Sequence, residues 1–162
     1  MDRRGLTMTL EMTNTHGPLD ENCLRALEQI WCFQLPKEYR SFLLKYNGGE
    51  PSLSFFKYKN KKDDGSVVDT FFGIYKDDNY NLLNKVIEIG DRHTSDSFPI
   101  ASDVFGNRIC IIVKGPNRGK IYFWDHEMEA DTDQGEIADY SNMTLISDSF
   151  NEFIDGLYEA ED

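Results

Sequence analysis

Asp125, His126 and Glu127 stand in a row and bring together side chains widely used for proton transfer and metal ligation. On a strand, successive side chains point to opposite faces, so three consecutive residues do not converge on one atom. The expectation is therefore a strand end whose polar groups bind water or neighbouring backbone. A few residues further on, Asp131-Thr132-Asp133-Gln134-Gly135 has the look of a calcium loop. An EF-hand places glycine at loop position 6 and a bidentate glutamate at position 12. Counted from Asp131, glycine falls at position 5 and Asn142 at position 12, so the pattern fails. A flexible acidic loop is the expectation, with weak calcium binding by clustered carboxylates the alternative. The nucleophile elbow, the phosphate-binding loop, the dinucleotide fingerprint and the HExxH metal motif are all missing from the sequence. The three cysteines, Cys23, Cys32 and Cys110, form no CxxC pair, and His16, His93 and His126 add no zinc-ligand spacing. The cysteines are read as reduced and mostly buried. Neither catalysis nor a cofactor is expected.

What remains is charge. The chain of 162 residues carries a net charge of −12, which repels the phosphates of nucleic acid and the anionic face of a membrane. From Asp125 to Asp162 there are 13 acidic residues and no Lys or Arg, whereas basic residues cluster earlier, as in Lys57-Tyr58-Lys59-Asn60-Lys61-Lys62. This one-sided acidity suits either a solvated, solubilising face or a docking surface for a basic partner. The longest apolar runs, such as Ile109 to Val113, are far below the roughly 20 residues of a membrane span. The first eleven residues contain two arginines but no continuous apolar stretch, and the chain is expected in the cytoplasm.

The elements that would hold these residues are legible from periodicity. Asp20 is placed to cap a helix running to about Trp31, with Leu19 and Leu24 as a hydrophobic staple and Leu24, Leu27 and Trp31 on one face. Pro36 opens a second helix carrying Tyr39, Phe42, Leu43 and Tyr46, and Asn47-Gly48-Gly49 ends it. Strands are expected from Leu53 to Phe56 and from Val67 to Tyr75, with 57–66 as a loop. Residues 79–89 suggest a short helix with Leu82, Leu83, Val86 and Ile87 along one side and Gly90 as its cap. Phe98 to Ala101, Arg108 to Val113 and Lys120 to Trp124 read as a meander turning at Gly106-Asn107 and at 115–119. Ser149-Phe150-Asn151-Glu152 fits a capping box for a last helix, with Phe150, Phe153, Ile154 and Leu157 buried and 159–162 frayed. One α+β domain over 1–162 is the expectation, its core about 20–158 and its ends, 1–18 and 159–162, peripheral.

Five of these pieces, in this order, resemble one known family. They are Leu35-Pro36-Lys37-Glu38-Tyr39 continuing to Tyr46-Asn47-Gly48-Gly49; Phe71-Phe72-Gly73-Ile74-Tyr75; Phe98-Pro99-Ile100-Ala101 with Gly106-Asn107; Ile121-Tyr122-Phe123-Trp124-Asp125-His126-Glu127; and Asp148-Ser149-Phe150-Asn151-Glu152-Phe153-Ile154. The chain is similar in these segments to the SMI1/KNR4 family of the SUKH superfamily, over roughly residues 20 to 158. The resemblance implies a compact α+β domain whose many bacterial members are immunity proteins that neutralise toxins, often nucleases, without a cofactor. Eukaryotic members resemble signalling scaffolds, and a regulatory scaffold or ligand-sensing domain is the alternative here.

A nuclease toxin presents a basic groove, and an inhibitor that lays carboxylates into it competes with phosphate and gains steered association. The residues expected to meet such a partner are Asp125, Glu127, Glu129, Asp131, Asp133 and Glu136, with Tyr122, Trp124 and Tyr140 as aromatic anchors. Alternation puts Tyr122 and Trp124 on one face and Phe123 on the other. If Trp124 lies in the core, Tyr140 and the loop acids carry the contact.

Overall fold

The computed structural model describes residues 9–76 and 79–159. The N-terminal eight residues and three of the four expected to fray at the C-terminus therefore lie outside the described part. Its centre is a five-stranded antiparallel meander of β5 (Thr70–Phe71), β6 (Ser97–Ser102), β7 (Arg108–Ile112), β8 (Ile121–Trp124) and β9 (Met143–Ser147), adjacent in chain order. The register opposes Ile109 to Phe123 and Ile111 to Ile121. These four large side chains turn one sheet face into the main core. There they meet Leu24 of α1 (Glu21–Trp31), Tyr39 and Leu43 of α2 (Lys37–Tyr46), and Phe150 and Phe153 of α4 (Phe150–Asp155). Helices on an antiparallel sheet make this an α+β fold. The other face holds a smaller cluster of Cys110, Trp124 and Ile89, the last from α3 (Leu82–Ile89).

Helix starts follow the side-chain chemistry. Asp20 Oδ1 accepts from the N–H groups of Asn22 and Cys23, Asn81 Oδ1 from Leu83, and Ser149 Oγ from Glu152. The end of α2 is held more firmly. Asn47 is left-handed at φ 52° and 3% exposed. Its Oδ1 accepts from Ile74 N–H at 2.6 Å, while Nδ2 donates to Ile74 O at 2.8 Å and to His16 O at 3.3 Å. Here the backbones touch: a Cβ on Gly48 would stand 2.9 Å from Gly73 N, and one on Gly73 would stand 2.2 Å from Asn47 O. Between α1 and α2, the 5%-exposed Glu28 accepts from Arg40 Nη2 at 2.9 Å and from Leu35 N–H at 2.8 Å. That bond to Glu28 raises the Arg40 pKa above its ordinary value.

Some expectations give way. Residues 57–66 are not a loop: β3 (Phe55–Tyr58) and β4 (Lys61–Val67) form a hairpin beside β9, with Lys59 N–H donating to Leu145 O at 3.0 Å. Its polar strand is exposed along its first four residues, so backbone pairing holds it and no apolar alternation marks it. The strand expected from Val67 to Tyr75 shrinks to Thr70–Phe71, since Ile74 is taken by Asn47. Ile87 is 77% exposed rather than packed, and Ile89 is the buried residue of that turn. Cys23 and Cys32 are exposed, leaving Cys110 as the buried thiol. Burial pushes the Cys110 pKa up to about 12. The short pair of β1 (Met12–Thr13) with β2 (Glu50–Pro51), and β9 itself, had no sequence signal.

Replacing Asn47 by Ala removes three hydrogen bonds and puts a Cβ residue without a polar side chain into the left-handed region. The expected loss is about 3 kcal/mol of stability, read as a lower urea midpoint at unchanged slope.

Candidate partner-binding surface

β8 ends at Trp124, and the chain then crosses the second sheet face as an irregular acidic segment before re-entering the sheet at Met143. Three single-turn 3-10 helices, His126–Met128, Thr132–Gln134 and Tyr140–Asn142, give it shape. Their carboxylates do much of the folding. Asp125 Oδ1 accepts from Glu127 N–H at 3.0 Å, Asp139 Oδ1 from Ser141 N–H at 2.9 Å, and Glu136 Oε1 from Asp131 N–H at 2.6 Å. The Ser141 bond lowers the Asp139 pKa. Glu129 pairs with Arg92 at 3.1 Å. The returning end is pinned by Tyr140, whose hydroxyl donates to Asp96 Oδ2 at 2.7 Å and whose ring stands edge-on to Tyr122 at 5.1 Å. Burial, then the bond to Asp96, raises the Tyr140 phenol pKa.

The nine residues expected at the interface thus separate. Trp124 is 2% exposed, clusters with Ile89 and Cys110, and its Nε1 donates to Arg92 O at 3.3 Å, so it packs inside rather than presenting a surface. Tyr122 and Tyr140 are half-buried. Asp125, Glu129 and Glu136 are engaged as described. Glu127, Asp131 and Asp133 are exposed, and their side chains make no hydrogen bond or ion pair to another described residue. The trio Asp125, His126 and Glu127 does not sit on a strand. Asp125 caps a 3-10 turn, and His126 leaves it sideways, donating from Nε2 to Phe105 O at 2.9 Å.

That last bond leads to residues the sequence reading passed over. The β6–β7 turn is built by Asp103, 4% exposed. Its Oδ1 accepts from Phe105 N–H and Asn107 N–H, and its Oδ2 from Asn107 Nδ2, each at 2.8 Å. Asn107 Oδ1 in turn accepts from His126 N–H at 3.0 Å. This network holds out Val104 at 56% and Phe105 at 70% exposure, and Met128, on the adjoining 3-10 turn, is 69% exposed. The available signal was an apolar Val-Phe pair inside Asp103-Val104-Phe105-Gly106-Asn107, where turns are normally polar.

Residues 18–156 of the chain match the SMI1 / KNR4 family (SUKH-1). The chain belongs to this family. The SPbeta prophage-derived uncharacterized protein YokK of Bacillus subtilis (strain 168) is 32% identical over 153 residues, covering 84% of this chain and 73% of that protein. SMI1/KNR4 proteins include immunity proteins. In the SMI1/KNR4 fold seen here, the Asn-Gly-Gly and Phe-Phe-Gly-Ile motifs meet at the Asn47 clamp. The motif from Ile121 to Glu127 supplies a core strand followed by the start of the acidic segment.

His93, beneath the segment, lies with Nδ1 2.7 Å from Ser97 Oγ, and burial lowers its pKa below the ordinary 6.5. The unfolded chain therefore takes up a proton at His93 before the folded one does. Stability from this group is complete above pH 6.5 and is lost as pH falls below it. His93→Gln should flatten that part of the stability–pH curve, checked by urea titrations from pH 7.5 downward.

Proposed function

We propose that this SMI1/KNR4 protein is an immunity protein that binds a cognate toxin one-to-one and occludes its basic, phosphate-binding groove. The observation that carries the reading is the division of labour in the acidic segment. Some carboxylates, with Arg92 and Tyr140, fix its course, while Glu127, Asp131 and Asp133 stand exposed without partners among the described residues. Fixed carboxylates steer a basic partner and discriminate by charge, whereas affinity requires desolvated anchors. Phe105 and Val104, held out beside the segment by Asp103, supply them, with Met128 alongside. A preorganised apolar tip loses little conformational freedom on binding. Membership of a family that includes immunity proteins supports the reading.

Affinity capture of the tagged protein from its native source, at low and then high salt, should retain one stoichiometric partner with a basic toxin domain. Against that partner, reversal of Glu127, Asp131 and Asp133 to Lys should slow association about tenfold or more at low salt and leave folding intact. Glu129 is left out because its reversal would break the pair with Arg92. Phe105→Ala should instead raise the dissociation rate, weakening binding about tenfold or more at any salt. Unchanged rates in both variants would overturn the reading.

A further inference from the structure

An open groove of about 730 Å³ lies at the start of β6, between the C-terminal end of α1, the end of α3 and the returning end of the acidic segment. One wall is aromatic. Trp31 and Phe33 stack offset at 5.9 Å, and both meet Phe98 edge-on, at 5.0 and 5.7 Å. Across from them Tyr140 and Asp96 form the hydrogen-bonded pair that pins the segment, and Asp139 stands beside them, exposed. Asp96 Oδ1 is buried and has no donor, so Asp96 lends the groove its charge rather than an accessible acceptor, while the exposed Asp91 also lines it. Among the described residues lining the groove there is no Lys or Arg, and His93 is neutral near pH 7 because burial lowers its pKa.

Aromatic surface beside uncompensated carboxylates selects one chemistry. Such a groove stabilises a cation that is also flat and weakly hydrated: ring faces attract the charge, carboxylates accept its N–H groups, and apolar walls cover its stem. An ammonium group meets the charge requirement but holds its water more tightly and does not stack, whereas a guanidinium is weakly hydrated and stacks. We infer that this groove is a socket for an arginine side chain of the protein partner. The inference deepens the immunity reading and rests on it for the identity of the partner. It adds a buried specificity contact, away from the Phe105 tip, to what the exposed acids do by long-range attraction.

The socket is testable without the partner. The full chain is titrated with N-acetyl-arginine amide while ¹H–¹⁵N spectra report on the indole N–H of Trp31, which lines the groove. Trp124, 2% exposed, serves as the internal control. The expected result is a saturable shift at Trp31 with little change at Trp124. N-acetyl-citrulline amide, the neutral isostere, should bind about tenfold more weakly. Asp139→Asn and Asp91→Asn, which preserve the Tyr140–Asp96 bond, should each weaken arginine binding several-fold. Absence of a saturable shift, or equal binding of citrulline, overturns the socket. Tighter binding of n-propylguanidine, which has the same single charge without the peptide groups, would assign the groove to a free small molecule and overturn it as well. Because the probe is arginine alone, failure here leaves the capture experiment unaffected, and an empty capture leaves this one standing.

Discussion

The junction where α2 ends against the backbone of residues 73–74 governs the placement of much else. Asn47 turns left-handed with its side chain buried, and both ends of its amide are spent on Ile74. That fixes the segment from which α3 starts, through Gly73 O accepting from Leu82 N–H at 2.6 Å and Tyr75 O accepting from Asn81 Nδ2. It also sets the sheet edge, since Gly49 and Phe71 exchange backbone hydrogen bonds of 3.1 and 2.8 Å. Helix α2, strand β5 and helix α3 are thereby oriented by one contact, possible only where Gly48 and Gly73 let main chains touch. A buried amide with all its groups satisfied specifies geometry in a way an apolar contact of equal area does not.

The acidic segment poses the opposite problem, because seven carboxylates from Asp125 to Asp139 repel one another. Backbone N–H groups donate to Asp125, Glu136 and Asp139, which disperses part of this charge, and Arg92 neutralises Glu129. The segment is held in place by the Tyr140 ring contact and phenol–carboxylate bond at one end, His126 on the β6–β7 turn at the other and the Arg92–Glu129 pair between. Rigid attachment and unspent negative charge coexist because different residues carry them.

Elements whose local chemistry is self-sufficient were legible in the sequence. The Asp20, Asn47 and Ser149 helix ends and the three central strands appear where capping residues and β-branched runs put them. Of the β3–β4 hairpin only the start of β3 was legible, where Phe56 faces the core; the first four residues of β4 are all exposed, and pairing of that kind imposes no alternation on side chains. Strand β9 was hidden for a related reason: Met143, Thr144 and Leu145 are only half-buried. Of the surface, the acidic run was plain in the composition. Which acids were already committed to Arg92 or to backbone was not, since those partners are fixed by folding over distances of up to 37 residues. Whether Trp124 faced solvent depended on Ile89 and Arg92 arriving from another element to cover it.

The turn that presents Phe105 has its geometry written in Asp103 and Asn107, both buried, and in Gly106, left-handed at φ 89°. None of these three needs the particular side chains at 104 and 105, which touch no part of the core cluster. Substitutions at those two positions therefore change the exposed surface at little cost to stability. The exposed tip and the frame that presents it are thus chemically separate, and a change in one leaves the hydrogen bonds of the other in place.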